Sequence, residues 1–311
     1  MQISNIKSMK KLFIKLLLFG ILCIFADSVF GIVMDYVYHS TKGGDTGREL
    51  YISEYANEDI IFLGSSRCTH HYDTKIFEDS LGMSSYNCGA DGSGIILNYA
   101  RYKLLSQRYT PKVIIYDLYY NFDLNTDDKL SDLAGIKTQY KNGIDTIFWT
   151  IDQTERIKML SNLYRYNSNF IQYFGDYLHP ISEVGYNGYL PLKGIISYDN
   201  QEDIETQKSI YDVDSLKLYY FERLIKETKG QTKLFFIISP MHKKTDIHKY
   251  DSIIQLCDRY NVPFYSFLDD SCFLNDSLFV DRMHLNNVGA AIFSKDVVKL
   301  LKSELGCFYS K

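Results

Sequence analysis

The chain has 311 residues, 46% of them apolar and 23% charged, which supports a sizeable core in one large domain or two small ones and excludes wholesale disorder. Lys and Arg number 34 against 38 Asp and Glu, a net charge of −4, and beyond residue 35 the balance falls to 30 against 36. A nucleic-acid binder needs concentrated positive charge to displace counterions, so that class is excluded.

The first element in chain order is an apolar run, LLLFGILCIFADSVFGIVM over residues 16–34, with Asp27 as its single charge. About 20 apolar residues in a helix cross the hydrocarbon layer. Lys7, Lys10, Lys11 and Lys15 precede the run, and clustered positive charge keeps that end cytoplasmic. A transmembrane anchor over residues 1–35 is therefore predicted, with everything from residue 36 on outside the cytoplasm. A cleaved signal peptide is the rival reading, with Val29-Phe30-Gly31 as a cleavage site, although the run exceeds the usual 7–15-residue signal core. A buried soluble helix is the third reading, and Asp27 favours it. Cys23 lacks the small preceding residue that lipid attachment needs.

Next come five short runs nearly continuous in Ile, Leu, Val and Phe: 60–63, 83–87, 113–118, 234–239 and 262–268. Strands buried on both faces of a parallel sheet read this way. Helical patterns separate them. Residues 73–81 start at Asp73 and stop at Gly82; residues 93–108 are followed by Pro111; residues 214–229 stop at Gly230; residues 246–260 and 287–305 complete the set. The alternation predicts a doubly wound α/β domain, a flavodoxin-like three-layer sandwich around a parallel five-stranded sheet. Residues 123–213 break the pattern. They hold Trp149 and many tyrosines, and are read as a mostly helical insertion, looser over 175–196. Its rings suit either stacking on sugars as a cap over the site or ordinary packing.

In such sheets ligands bind beyond the carboxyl ends of the strands, which directs attention to four places. Gly64-Ser65-Ser66-Arg67 follows the first strand, where a glycine permits a tight bend and a serine at a helix entrance meets positive potential. Asn87-Cys88-Gly89-Ala90-Asp91-Gly92-Ser93-Gly94 follows the second. Its glycines free the backbone to aim N–H groups at an anion, but the spacing is not that of a dinucleotide loop. Asn121 follows the third. Asp281-Arg282-Met283-His284 precedes the last helix, and an Asp three residues before a His can accept its ring N–H and fix the tautomer. Cysteines at 23, 68, 88, 257, 272 and 307 form no CxxC pair, so no zinc or thioredoxin-like site and no metal or other cofactor is expected.

In the order Ser, Gly, Asn, His, on one edge of one sheet, these residues resemble the SGNH (GDSL-type) hydrolase and acyltransferase superfamily over roughly 59–122 and 233–305. The resemblance implies Ser66 as nucleophile, His284 as base oriented by Asp281, and Gly92 and Asn121 as oxyanion-hole donors. Gly92 is preferred to Gly89 because it lies five residues after Asn87. Ser65 stands where the commonest members carry Asp, Phe122 follows Asn121 where they carry Asp, and Leu285 replaces their Pro. The Gly-Ser-Ser block behind a single anchor also resembles the DltD-type proteins, which help attach acyl groups to cell-envelope polymers. Taken with the predicted anchor, the resemblance implies an extracytoplasmic serine esterase or O-acyltransferase. Its partners would be an acylated carbohydrate polymer, the membrane and a membrane acyl-donor protein, with no nucleic acid. A non-catalytic glycan-binding or membrane-partner scaffold is the alternative, and a phosphate cradle on 89–94 is disfavoured for want of a P-loop lysine. His70 and His71 are expected at exposed positions, Cys68 and Cys88 as small buried thiols, and Arg67 either on an anionic substrate or covering apolar surface.

Overall fold

The computed structural model describes residues 2–125, 129–181, 185–197, 211–242 and 245–309; parts of the insertion predicted over 123–213 lie outside them. In chain order the helices are α1 (Gln2–Ser40), α2 (Gly44–Glu54), α3 (Ser66–His71), α4 (Thr74–Leu81), α5 (Ile95–Ser106), α6 (Tyr120–Asp123), α7 (Lys129–Asp132), α8 (Asp145–Ile151), α9 (Glu155–Lys158), α10 (Asn162–Tyr166), α11 (Phe170–Leu178), α12 (Ser215–Thr228), α13 (Asp251–Tyr260) and α14 (Asn287–Tyr309). The strands are β1 (Ile60–Gly64), β2 (Ser85–Asn87), β3 (Val113–Asp117), β4 (Lys233–Ile238) and β5 (Phe264–Ser266). Residues fall into two compact units, Met1–Leu50 with Ala134–Ile181, and Tyr51–Leu133 with Ser182–Lys311.

The second unit is the α/β sandwich. All five strands are parallel in the order β2-β1-β3-β4-β5. Central strands are buried on both faces because helices cover both, which is why their sequence shows no polar alternation. Phe62, Ile115, Phe235 and Ile237 face Phe77 of α4 and Phe293, Val297 and Leu301 of α14. On the opposite face Tyr116 and Phe236 pack edge-on to Phe221 of α12. The edge strands β2 and β5 are shorter than the runs 83–87 and 262–268, since a strand with one neighbour has no second ladder to extend it. Asp73 caps α4 by accepting from the Lys75 amide, and Gly82 ends it in the left-handed conformation at φ +65°. The predicted 246–260 helix begins as a 3₁₀ turn, Ile247–Tyr250, capped by Asp246.

In the first unit, α1 runs unbroken for 39 residues. From Ser8 to Ser40 it is long and apolar enough to cross a membrane. Its carboxyl-terminal third packs on α10 and α11 around Met34, Val37, Tyr38, Tyr166 and Tyr173. Thr46 fastens to the Asp176 carboxylate through both its amide (3.0 Å) and its hydroxyl (2.6 Å).

Candidate active site

At the end of β1, Gly64 has φ +147°, and a Cβ there would come within 2.7 Å of the Asp117 carbonyl and 2.8 Å of Cys68 Cβ. Both conformation and space therefore demand glycine. Asn98 of α5 clasps the same residue: its Oδ1 accepts from the Gly64 amide (3.1 Å) and its Nδ2 donates to the Gly64 carbonyl (3.3 Å). From this fixed point the chain enters α3 directly, with Ser65 at the cap position and Ser66 first in the helix. Ser66 is half-buried, whereas the Ser65 hydroxyl is buried and meets no partner among the described residues.

Ser66 Oγ lies 2.8 Å from His284 Nε2 across 218 residues of chain. On the other side of the ring, His284 Nδ1 lies 2.9 Å from Asp281 Oδ2 and 3.1 Å from Oδ1. Asp281 also accepts the amides of Met283 (2.7 Å) and His284 (2.8 Å), so one carboxylate shapes the turn and orients the ring. Burial pushes the Asp281 carboxyl up, but the bonds from His284 and the Met283 amide outweigh it and hold the group below its ordinary value. A carboxylate on Nδ1 fixes the proton there, leaves Nε2 free to accept from Ser66, and stabilises an imidazolium once the proton has moved.

Gly92 and Asn121 lie on the loops after β2 and β3, but among the described residues neither bonds to Ser66. Gly92 occupies the turn closed by the Ser93 amide on the Ala90 carbonyl (3.1 Å), with φ +72° and open space where a Cβ would be. Asn121 is exposed on α6, and its amide donates to the Tyr119 hydroxyl (3.0 Å). The Tyr119 ring in turn faces the Arg67 guanidinium at 5.5 Å. Gly89 is the loop's tightly packed glycine, where a Cβ would come within 2.6 Å of the Thr69 amide of α3. Its own N–H is taken by Asn87 Oδ1 (3.0 Å), so it is not a free donor.

Beneath the serine lies a buried polar layer that sequence reasoning did not single out. Asp117, fully buried at the end of β3, accepts the Ser239 amide (3.0 Å), the Ser239 hydroxyl (3.0 Å) and the Tyr72 hydroxyl (3.2 Å). Arg67 is 3.6 Å from the same carboxylate and donates to the Ser239 carbonyl (2.7 Å) and hydroxyl (2.8 Å). The expectation of a substrate-binding or surface-covering Arg67 is thus corrected: its guanidinium is buried and consumed by Asp117 and Ser239. Burial raises the Asp117 carboxyl, with Arg67 opposing.

The exposed positions expected for His70 and His71 are also corrected, because α3 turns both inward. His71 Nε2 accepts from the Leu285 amide (3.0 Å), directly after His284, and its Nδ1 reaches Ser239 Oγ (2.9 Å). Burial, and then Arg67, press the His71 pKa well below the usual imidazole value, so the ring is neutral. His70 Nδ1 meets the Leu190 carbonyl (2.7 Å), and its ring stands edge-on to His284 at 5.7 Å. Cys68 and Cys88 are both buried, as their size suggests. His242 bonds Asp276 at 2.7 Å. Among the described residues no group of three His, Cys, Asp or Glu is placed to hold a metal ion.

No family model matches the sequence, and no curated protein matches it. Among solved structures, a two-domain esterase active on acetylated mannans, co-crystallised with mannopentaose, is 12% identical with a TM-score of 0.41, over 78% of this chain and 48% of that one. An acetyl xylan esterase from the rumen bacterium Butyrivibrio proteoclasticus is 10% identical with a TM-score of 0.37, over 79% of this chain and 64% of that one. The chain therefore spans about half to two thirds of the length of these neighbours.

Proposed function

We propose that this chain is a serine esterase or O-acyltransferase that works through an acyl-serine intermediate. Its substrates would be acyl esters of an extracytoplasmic carbohydrate polymer. The observation that carries the reading is the continuous chain from the Ser66 hydroxyl through His284 to Asp281, at 2.8 and 2.9 Å. A binding scaffold has no need of a hydroxyl aimed at a base held in one tautomer. Ser66 Oγ attacks the ester carbonyl while His284 Nε2 takes its proton. His284 then hands that proton to the departing alkoxide, leaving the acyl group on Ser66. Water, or a sugar hydroxyl, repeats the steps in reverse. The oxyanion would be met by backbone N–H groups at Ser66 and Gly92 and by the Asn121 amide, once Asn121 leaves Tyr119. Each such donor is worth about 2.7–4 kcal/mol in the transition state.

The anchor reading of α1 is supported by its continuity. The helix passes unbroken through Val29-Phe30-Gly31, and the residues beyond that point form the core of their own unit. The carbohydrate substrate rests on the compartment and the aromatic content of the insertion.

The test is turnover of p-nitrophenyl acetate and of an acetylated polysaccharide by the full-length protein in nanodiscs, with sugar acceptors added to separate hydrolysis from transfer. His284→Ala should lower turnover by about 10³-fold or more. Turnover equal to that of the unaltered protein would overturn the reading.

A further inference from the structure

Asp27 is the one charge within the apolar run of α1, and its carboxylate is saturated from a single direction. Its Oδ1 accepts the Ser161 hydroxyl (2.7 Å) and the Leu163 amide (2.8 Å), and its Oδ2 accepts the Asn162 amide (2.8 Å) and side chain (3.1 Å). A bare carboxylate in hydrocarbon is costly unless partners accompany it. Those partners are the cap residue and first turn of α10. The approach is close: a Cβ on Gly31 would fall within 2.4 Å of the Asn162 side chain.

If residues 16–34 cross the hydrocarbon, Asp27 lies seven residues, or about 10 Å, inside the boundary near Met34. Ser161, Asn162 and Leu163 must then lie at that depth with it. The surface they present fits lipid. Ile157 and Leu160 are each 74% exposed, and Leu163 is also exposed. The apolar side chains of α1 from Leu12 to Phe25 are exposed as well.

The backbone of the turn also suits a medium without water, where each polar group needs an internal partner. The amides of Met159, Leu160 and Ser161 bond to the carbonyls of Glu155, Ile157 and Lys158. Those of Asn162 and Leu163 go to Asp27, and that of Tyr164 to Ser161 Oγ. Higher on α1, the exposed Tyr36 pairs with Tyr177 at a ring separation of 6.3 Å. Rings with an apolar body and a polar tip mark the membrane–water interface.

We propose that residues 157–163 form a lipid-contacting collar beside the anchor, seated about 10 Å into the leaflet at the carboxyl-terminal end of α1. The occupant of the exposed apolar patch is the acyl-chain region of the bilayer that α1 crosses. The inference rests on the anchor reading and is independent of the catalytic one.

The test uses the full-length protein with Trp149→Phe, which removes the only tryptophan, reconstituted in phosphatidylcholine vesicles with or without acyl-chain bromination. Single tryptophans are placed by Leu22→Trp on α1 and by Leu160→Trp or Ile157→Trp on the collar, all at exposed positions. The expected result is a loss of emission in brominated lipid at residues 160 and 157 comparable to that at residue 22. Quenching at residue 22 alone would overturn the collar and leave the anchor standing. Quenching at none of the three would remove the anchor reading, and the collar with it.

Discussion

His71→Leu removes the buried ring that ties α3 to the loop carrying the proposed base. Two bonds vanish, from the Leu285 amide (3.0 Å) and to Ser239 Oγ (2.9 Å); the amide is left buried without its acceptor, while Ser239 Oγ keeps Asp117 and Arg67. An orphaned amide costs about 1–3 kcal/mol, so stability should fall by roughly that amount. A smaller part reaches the chemistry. The Leu285 amide is one bond from the backbone of His284, so its release loosens the 2.8 Å contact between Nε2 and Ser66. Losing about 1.4–2.8 kcal/mol of transition-state stabilisation lowers kcat about 10–100-fold, with KM for p-nitrophenyl acetate little changed. His71→Gln separates positioning from packing, because one amide offers an acceptor and a donor at nearly the spacing of the two ring nitrogens. It should recover most of the lost kcat. Since burial and Arg67 keep His71 neutral, the acid limb of the kcat profile should keep its midpoint in His71→Gln. Full activity in a folded His71→Leu protein, or an acid limb displaced in His71→Gln, would refute the argument.

Asp281→Asn keeps the shape of the turn but no longer holds the proton on Nδ1, so p-nitrophenyl acetate turnover should fall about 10²–10⁴-fold while thermal unfolding moves little. A second expectation concerns Asp123, fully buried behind Asn121, where it accepts the Tyr116 hydroxyl (2.6 Å) and the Tyr119 amide (2.7 Å). Burial raises its pKa to about 7. A carboxyl whose folded pKa is raised stabilises the fold while protonated, and that contribution is lost as pH climbs from about 4 to about 7. Melting temperature measured across this window should therefore slope downward with pH, and Asp123→Asn should flatten the slope; an unchanged slope would contradict the assignment.

The sheet was legible because strands buried on both faces read as unbroken apolar runs, and because Asp73 and Gly82 announce a helix start and stop in local chemistry. The expectation that Ser66 meets His284 and Asp281 came from the resemblance to the SGNH-type hydrolases, whose Ser, Gly, Asn, His order the chain shows at strand ends and helix entrances. The layer beneath them was not legible. Asp117, Ser239 and His71 interact across 122 and 168 residues of chain, and a polar residue closing an apolar run looks like any strand end until the fold brings its partner. The faint signal was a polar residue at or next to the end of an apolar run, Asp117 in 113–118 and Ser239 in 234–239. Sequence spacing also hid the partners of Asp27, since its four bonds come from residues more than 130 positions away. Spacing favoured Gly92 over Gly89, and the structure leaves Gly92 in an open turn while engaging the Gly89 amide.

The central claim is that the Ser66 hydroxyl is a nucleophile activated by His284. Its most direct test is treatment of the full-length protein with a fluorophosphonate probe, followed by peptide mass spectrometry. The account predicts a single covalent adduct on Ser66, abolished by Ser66→Ala and slowed strongly by His284→Ala. An adduct on another residue, or labelling that persists in Ser66→Ala, would contradict it.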